Sequence, residues 1–364
     1  MKILLVSGIY PPDIGGPATF VPKLADYAAE KGCKVSILTL AKSAEETHDK
    51  NKLVKKIRRE TSKLIRFPKV VFTAIKMMED CDGVFANGLH EEIGISLIFR
   101  KRKSIAKIVG DPVWERAVNR KNTELDISNF NLRKLPPLYW VQRRLLVFSL
   151  NKFSLVTCPS EELVEIVRLW GVKTSVKMIP NGVNPVEVDS RKKDFDIVTV
   201  SRLVKWKKID AVIRAAAIAK ANLCVVGDGP ELENLKKLAV SLNANVTFTG
   251  EVTEDAALAY MQKSTIYILF SLYEGLSFSL LQAMASGNAV IVSNARGNVD
   301  VITHEKNGLI VDIDKESDLT SCIQILLANP KLRVAISDQA KKTVSEKYSL
   351  EDNLALLLNY LEIK

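Results

Sequence analysis

The chain has 364 residues, 47% of them hydrophobic, and no apolar run approaches the ~18–20 residues that a membrane span needs. That length exceeds one ordinary core and fits two domains of roughly 100–200 residues each. The net charge of +10 sits in one half: residues 1–185 hold 31 Lys and Arg against 19 Asp and Glu, and residues 186–364 hold 21 against 23.

Met1 to Val6 is too short an apolar stretch for a secretion signal and runs into Gly8-Ile9-Tyr10-Pro11-Pro12 without a cleavage site. A first strand over 2–7 is expected instead. Short β-branched runs then alternate with segments of helical period, the mark of parallel sheets. Further strands are expected near 34–40, 82–87, 104–109, 154–158 and 175–179, and helices include 18–31, 90–101, 138–152 and 160–170. Tyr139 to Leu146 is basic and amphipathic, which fits a helix docked on the sheet or one lying on a membrane. Ile179-Pro180-Asn181-Gly182-Val183-Asn184-Pro185 is dense in turn formers, and with the charged stretch to Asp196 it reads as a hinge. Alternation resumes with strands near 197–201, 222–226, 245–249, 266–270, 289–293 and 308–311. Helices are expected near 208–220, 230–242, 253–263, 278–286 and 316–328, and the end from about 331 is helical. The expected fold class is α/β, with two consecutive doubly wound domains facing across a cleft.

Cys33, Cys81, Cys158, Cys224 and Cys322 are scattered in apolar surroundings, no Cys-x-x-Cys occurs, and there are only three histidines. This argues against disulfides and a zinc site, and for a reducing cytoplasm. Basic clusters occur at Lys50 to Arg59, Arg100-Lys101-Arg102-Lys103 and Arg143-Arg144. No helix-turn-helix, zinc finger or aromatic RNA-binding signature accompanies them, so nucleic acid is not the expected partner. A phosphorylated acceptor, an anionic membrane surface or plain solvated charge each fits the clusters.

In open parallel sheets, ligands bind beyond the carboxyl ends of the strands, where helix N-termini offer free N–H groups to anions. Gly15-Gly16 after the first strand and Gly227-Asp228-Gly229-Pro230 after the strand at 223–226 suit phosphate. A tight strand-to-helix turn needs glycine in any case, and that alternative stays open. Arg202 follows a strand and Lys207 lies where the next helix begins, a pair of fixed cations suited to a diphosphate. Glu274-Gly275-Leu276-Ser277 opens the helix carrying Gln282. On its own, Glu274 also reads as a helix-start carboxylate held by the dipole.

With these pieces in order, the chain resembles the retaining glycosyltransferases of the GT-B fold, glycosyltransferase family 4. The matching pieces are Gly15-Gly16, Ile179-Pro180-Asn181-Gly182-Val183, Ser201-Arg202-Leu203 with Lys207, Gly227-Asp228-Gly229-Pro230, Thr249-Gly250, Glu274-Gly275-Leu276, Ala283-Met284-Ala285-Ser286-Gly287 and Asn307-Gly308. The resemblance implies an N-terminal acceptor domain over 1–186 and a nucleotide-sugar domain over 187–347. It also implies a terminal helix, about 348–364, packed back on the first domain. Arg202 and Lys207 match the donor-diphosphate pair, and Gly227, Gly229 and Gly250 fall within the donor site. Glu274 matches the first acid of the Glu-x7-Glu motif, contacting the donor sugar. Gly275 belongs to the same loop, and the amides of Leu276, Ser277 and Phe278 would face phosphate.

Gln282 departs from the pattern, standing where the second acid holds the ribose hydroxyls, and Lys208 stands where glycine is usual. Asp82 to His90 resembles the strand ending in His-x-His, but with Phe85 and Asn87 in the histidine positions. Asn87 or His90 is then expected to meet the reacting sugar. Asp111 matches a position facing the acceptor, or is a turn aspartate before Pro112.

The resemblance implies sugar transfer with retention, from a UDP-sugar first and a GDP-sugar next, to a saccharide, lipid-linked or phosphorylated acceptor. No metal or cofactor is expected. The implied location is cytoplasmic, with peripheral contact to the inner face of an anionic membrane. The competing readings are a nucleotide-sugar epimerase of the same shape and a non-catalytic nucleotide-sugar-binding protein.

Overall fold

The computed structural model describes the chain except residues 14, 50, 51, 121, 124, 126, 187–192, 363 and 364. Part of the expected hinge, Lys50 of the first basic cluster and the end of the terminal helix therefore lie outside the described residues. The chain divides into two compact units: Met1–Pro180 with Glu351–Lys364, and Asn181–Leu350.

The first unit runs β1 (Lys2–Ser7), α1 (Gly16–Glu30), β2 (Lys34–Ala41), β3 (Glu45–Asp49), β4 (Lys52–Arg58), α2 (Lys63–Glu79), β5 (Gly83–Asn87), α3 (His90–Phe99) and β6 (Lys103–Lys107). It continues with α4 (Pro112–Asn119), α5 (Ile127–Leu132), α6 (Pro137–Leu150), β7 (Leu155–Cys158), α7 (Glu161–Leu169) and β8 (Val176–Met178). These strands form one sheet in the order β3-β4-β2-β1-β5-β6-β7-β8, parallel except for β3. The antiparallel β3–β4 edge adds two strands that were not among those expected from the sequence. Its residues read as a charge cluster because only Val54 and Ile57 of β4 are buried, too few apolar positions to give a strand period.

The second unit runs β9 (Phe195–Val200), a 3-10 turn (Lys205–Lys207), α8 (Ile209–Ala219), β10 (Leu223–Val226), α9 (Leu232–Ser241), β11 (Val246–Gly250), α10 (Glu254–Gln262) and β12 (Ser264–Leu269). Then come α11 (Phe278–Ala285), β13 (Ala289–Ser293), α12 (Arg296–Val299), β14 (Leu309–Val311), α13 (Glu316–Ala328) and α14 (Pro330–Lys347). The last helix, α15 (Leu350–Leu361), lies almost wholly in the first unit. Leu361 there packs against Gly83, and Lys103 donates to the Glu362 carbonyl. The second sheet has the order β11-β10-β9-β12-β13-β14 and is parallel throughout.

Its strands are unbroken apolar runs because both faces are covered. Ile197, Leu223, Val225, Ile266, Ile268 and Ile291 point into a core with α8, α9 and α13. Their neighbours Val198, Cys224, Val226, Tyr267, Leu269 and Val292 point into a second core with α11 and α14. At roughly 25 cal/mol per Å² of apolar surface removed from water, these two layers are the main force holding the unit together.

In each sheet the strand order reverses at one place, between β1 and β5 and between β9 and β12. Crossovers leave in opposite directions there, so loop ends part and expose backbone N–H groups. The candidate residues cluster at these two points.

Candidate functional site

In the second unit, Arg202 leaves the end of β9 and Glu274 follows β12, the two strands flanking the reversal. Lys207 closes the 3-10 turn, and its ammonium pairs with the Glu274 carboxylate. The Leu272 N–H donates to the Trp206 carbonyl at 2.8 Å, tying the two segments together beside that pair. Glu274 is buried, whereas Arg202 is exposed, with its guanidinium 6.0 Å above the Trp206 ring. One cation is thus locked and the other is free to reach a ligand.

Gly227 and Gly229 have positive φ, and a Cβ on them would fall 2.0 Å from the Ser201 carbonyl oxygen and 2.4 Å from that of Leu203. The Leu203 N–H donates to the Asp228 carbonyl at 2.8 Å. These glycines therefore let the β10 turn lie flat against the segment carrying Arg202. Gly250, also of positive φ, faces Gly227, whose N–H donates to its carbonyl at 3.0 Å.

Gly275 and Leu276 are buried ahead of α11. Ser277 caps that helix, its hydroxyl accepting from the Leu280 N–H at 3.3 Å. The first-turn N–H groups of a helix have no intrahelical acceptor, so the segment from Leu276 to Phe278 is built to meet an anion. The Tyr267 hydroxyl donates to Ser279 Oγ at 2.7 Å, bracing the same turn.

Gln282 lies one turn further along α11, and its amide donates to Glu254 Oε1 at 2.5 Å. A carboxylate therefore stands at this place after all, delivered by the first residue of α10. Lys208 is in the left-handed region, φ 48°, which explains why glycine suits that position. Its ammonium is anchored 3.0 Å from Glu316.

Three supports of this site were not singled out from sequence. The Asn181 amide donates to the Leu276 carbonyl at 2.8 Å, so the Pro-Asn-Gly turn fixes the start of α11. A Cβ on Gly297 would lie 2.0 Å from the Glu274 carbonyl oxygen. Glu254 is the third. The turn motif was a signal for Asn181; Gly297 and Glu254 carry none, because only tertiary contact defines them.

In the first unit, Gly15 precedes α1 with φ +148°, and a Cβ there would meet Ile9 at 2.8 Å; Gly16 begins the helix. Asn87 ends β5 across the reversal from β1, buried, and its Nδ2 has no hydrogen-bond partner among the described residues. His90 starts α3 but turns inward: its Nε2 lies 3.2 Å from the Gly88 N–H and 3.1 Å from the Lys107 carbonyl, and its ring packs edge-on to Phe153. Burial pushes its pKa below the usual range, opposed by Glu91. His90 stitches the β5 and β6 ends.

Asp111 caps α4, accepting from the Val113 and Trp114 N–H groups at 2.9 and 3.1 Å. Its other oxygen accepts from Asn131 at 2.9 Å and from Arg143 at 2.6 Å. Arg143 in turn stacks 4.1 Å from the Trp170 ring centroid. Fully buried and bonded by four donors, Asp111 is a structural node.

The basic clusters of the sequence are largely consumed inside the first unit. Lys55 pairs with Glu46, Lys56 with Glu45, Arg59 with Asp13 and Arg100 with Glu79. Arg143, read as surface charge, is buried against Asp111.

Comparison with known proteins agrees with this geometry. Residues 14–187 match the model described as Glycosyltransferase Family 4, and residues 183–343 match Glycosyl transferases group 1. An uncharacterized glycosyltransferase of Methanocaldococcus jannaschii is 36% identical over 167 residues, 43% of this chain and 42% of that protein. A GDP-mannose-dependent alpha-(1-6)-phosphatidylinositol monomannoside mannosyltransferase of Mycobacterium tuberculosis is 30% identical over 45% of this chain and 46% of its own. The chain thus spans about half the length of these relatives. An alpha-monoglucosyldiacylglycerol synthase of Streptococcus pneumoniae is 26% identical over 95% of this chain and 81% of its own.

Among solved structures, sucrose-phosphate synthase from Thermosynechococcus elongatus superposes with a TM-score of 0.81 at 20% identity, covering 98% of this chain and 97% of that one. Anabaena HepE in complex with UDP and glucose gives 0.79 at 17% identity, covering 99% of each. With two family models covering successive halves and GT-B enzymes sharing the architecture, the chain belongs to the family 4 glycosyltransferases of the GT-B fold.

Proposed function

We propose that the protein transfers a sugar, with retention, from a nucleotide diphosphate sugar to a saccharide, lipid-linked or phosphorylated acceptor. The Lys207–Glu274 pair beside Arg202 at the β9/β12 reversal carries this reading. A diphosphate placed over the start of α11 would meet Lys207 and first-turn N–H groups held before it arrives, and Arg202, whose exposed guanidinium is free to reach it. As the bond from sugar C1 to phosphate oxygen breaks, negative charge grows on the departing phosphate, and these groups stabilise it. The acceptor oxygen bonds to C1 on the same face, and its proton passes to a departing phosphate oxygen. Asn87, Gly15 and Gly16 face the acceptor side in this assignment.

A UDP-sugar is favoured: a structural neighbour is solved with UDP and glucose, and a relative matched over most of the chain is named as a monoglucosyldiacylglycerol synthase. GDP-sugars come next, because another relative is named as dependent on GDP-mannose. With a donor and acceptor pair found by screening nucleotide sugars, Lys207→Ala is expected to lower kcat by roughly 10²–10³ with the fold intact. Near-normal kcat in that variant would refute the assignment. Donor and protein alone should give no epimer, which separates transfer from epimerisation.

A further inference from the structure

Three neighbouring strand ends of the first unit line up buried polar side chains whose hydrogen-bonding capacity is unused. Thr157 of β7 is the register partner of Lys107 of β6. Lys107 follows Ala106, the partner of Ala86, and so stands beside Asn87 of β5. Residues in register on parallel strands point to one face of the sheet. Helix α1 covers that face: its Phe20 ring lies 5.9 Å from the ring of Phe85, two residues before Asn87, and 4.3 Å from Lys107 Nζ. All three polar residues are at most 3% exposed. Among the described residues, Asn87 Nδ2, Lys107 Nζ and Thr157 Oγ1 have no hydrogen-bond partner.

Buried polar atoms without partners are costly, so three in one row point to a group that occupies them. The amine narrows what that group is. A buried ammonium calls for a carboxylate, yet Lys107 makes no ion pair among the described residues. Burial lowers its pKa to about 7, against a small opposing effect of the Cys158 thiol. A neutral amine is nucleophilic, whereas a protonated surface lysine is not. The neighbours in the row, an amide NH₂ and a hydroxyl, can both donate, which suits an oxyanion. Carbon dioxide meets both demands, because it enters small and uncharged and becomes an oxyanion once bonded to nitrogen.

We propose that Lys107 is a carbamylation site, where Nζ takes up carbon dioxide and the carbamate oxygens accept from Asn87 Nδ2 and Thr157 Oγ1. The Nζ lone pair attacks the carbon, one C–O π pair moves onto oxygen, and an amine proton leaves to water. No oxidation state changes. The carbamate also fixes the Asn87 amide, which lies on the acceptor side of the proposed reaction. That consequence rests on the sugar-transfer reading; carbamate formation does not, so the two ideas can fail separately.

The full chain should be equilibrated with carbon-13 bicarbonate at about pH 8.5, above the pKa of this amine but below that of an ordinary lysine. Triethyloxonium then alkylates a carbamate oxygen to a stable ethyl carbamate. Trypsin does not cut after a blocked lysine, so the label is expected on the peptide Ser104–Arg116. Labelling there is expected to exceed that at any exposed lysine at least tenfold and to vanish in buffer freed of carbon dioxide and in Lys107→Met. Thr157→Val keeps the shape and removes the hydroxyl, and is expected to lower the labelled fraction at least roughly tenfold. Cooperative urea unfolding and a circular dichroism spectrum like the parent's show that each variant is folded. No label at Lys107, label spread evenly over surface lysines, or a Thr157→Val protein that labels like the parent would overturn the proposal.

Discussion

At the scale of single residues, the site departs from its family pattern at Gln282, and the fold answers with Glu254. Restoring the motif by Gln282→Glu would set two carboxylates at the 2.5 Å separation now spanned by an amide hydrogen bond. One of them would have to take up a proton. The expected outcome is weaker, not tighter, UDP binding at pH 7.5, read by titration calorimetry; a tighter complex would show that Glu254 is not the compensating acid. Lys107 gives a second residue-level test. Its amine is buried without a hydrogen-bond partner among the described residues, 4.3 Å from the Phe20 ring centroid, and burial lowers its pKa to about 7. Between about pH 7 and pH 10 the unfolded chain holds this proton and the folded chain does not, so stability rises with pH across that window. Urea unfolding at pH 7 and pH 9.5 should show a rise of a few kcal/mol in the parent that Lys107→Met lacks. Neither feature was legible in the sequence. A lysine ending a strand reads as solvent-facing, and nothing at 254 announces that its carboxylate meets position 282.

Among elements, helix starts were the most legible feature. Asp111 before Pro112, Ser160 before Glu161-Glu162 and Thr253 before Glu254-Asp255 each cap the helix that follows. Capping is local chemistry, settled within four residues. The edge pair β3–β4 and helix α2 were harder to read, because their charged or outward-turned side chains dilute the period. Helix α6 is buried at Leu146 and Leu150 and exposed at Trp140 and Leu145 on its other side. The close approach of α3 and α6 turns on Gly94, where a Cβ would lie 2.5 Å from that of Ser149. In an open helix, alanine in place of glycine stabilises by roughly 0.5–1 kcal/mol. Here Gly94→Ala is expected to destabilise by about 1–3 kcal/mol in urea, because α6 must move away. A stabilised variant would show that the two helices are not in contact.

At the scale of the whole molecule, each unit has its own sheet and its own apolar core, so unfolding need not be one transition. UDP at ~100 times its Kd stabilises whichever unit binds it by about 2.7 kcal/mol. Scanning calorimetry is expected to show UDP raising the transition of the second unit and leaving the other unmoved; a shift confined to the first unit would contradict the donor assignment. Of what was learned, the sequence alone determined the α/β alternation and the order of the motifs, and through the family resemblance those motifs carry it implied the GT-B architecture. Strand and helix periods, glycine turns and caps are all set by neighbours in the chain. Tertiary structure alone decided which charges remain free. It took Arg143 and Asp111 into the interior, paired the Lys52 to Arg59 cluster with acids from other elements, and left Lys63, Lys69, Lys76 and Arg144 without an ion pair among the described residues. The physical reason is range: propensity acts over a few residues, whereas an ion pair joins groups that only folding brings within 4 Å.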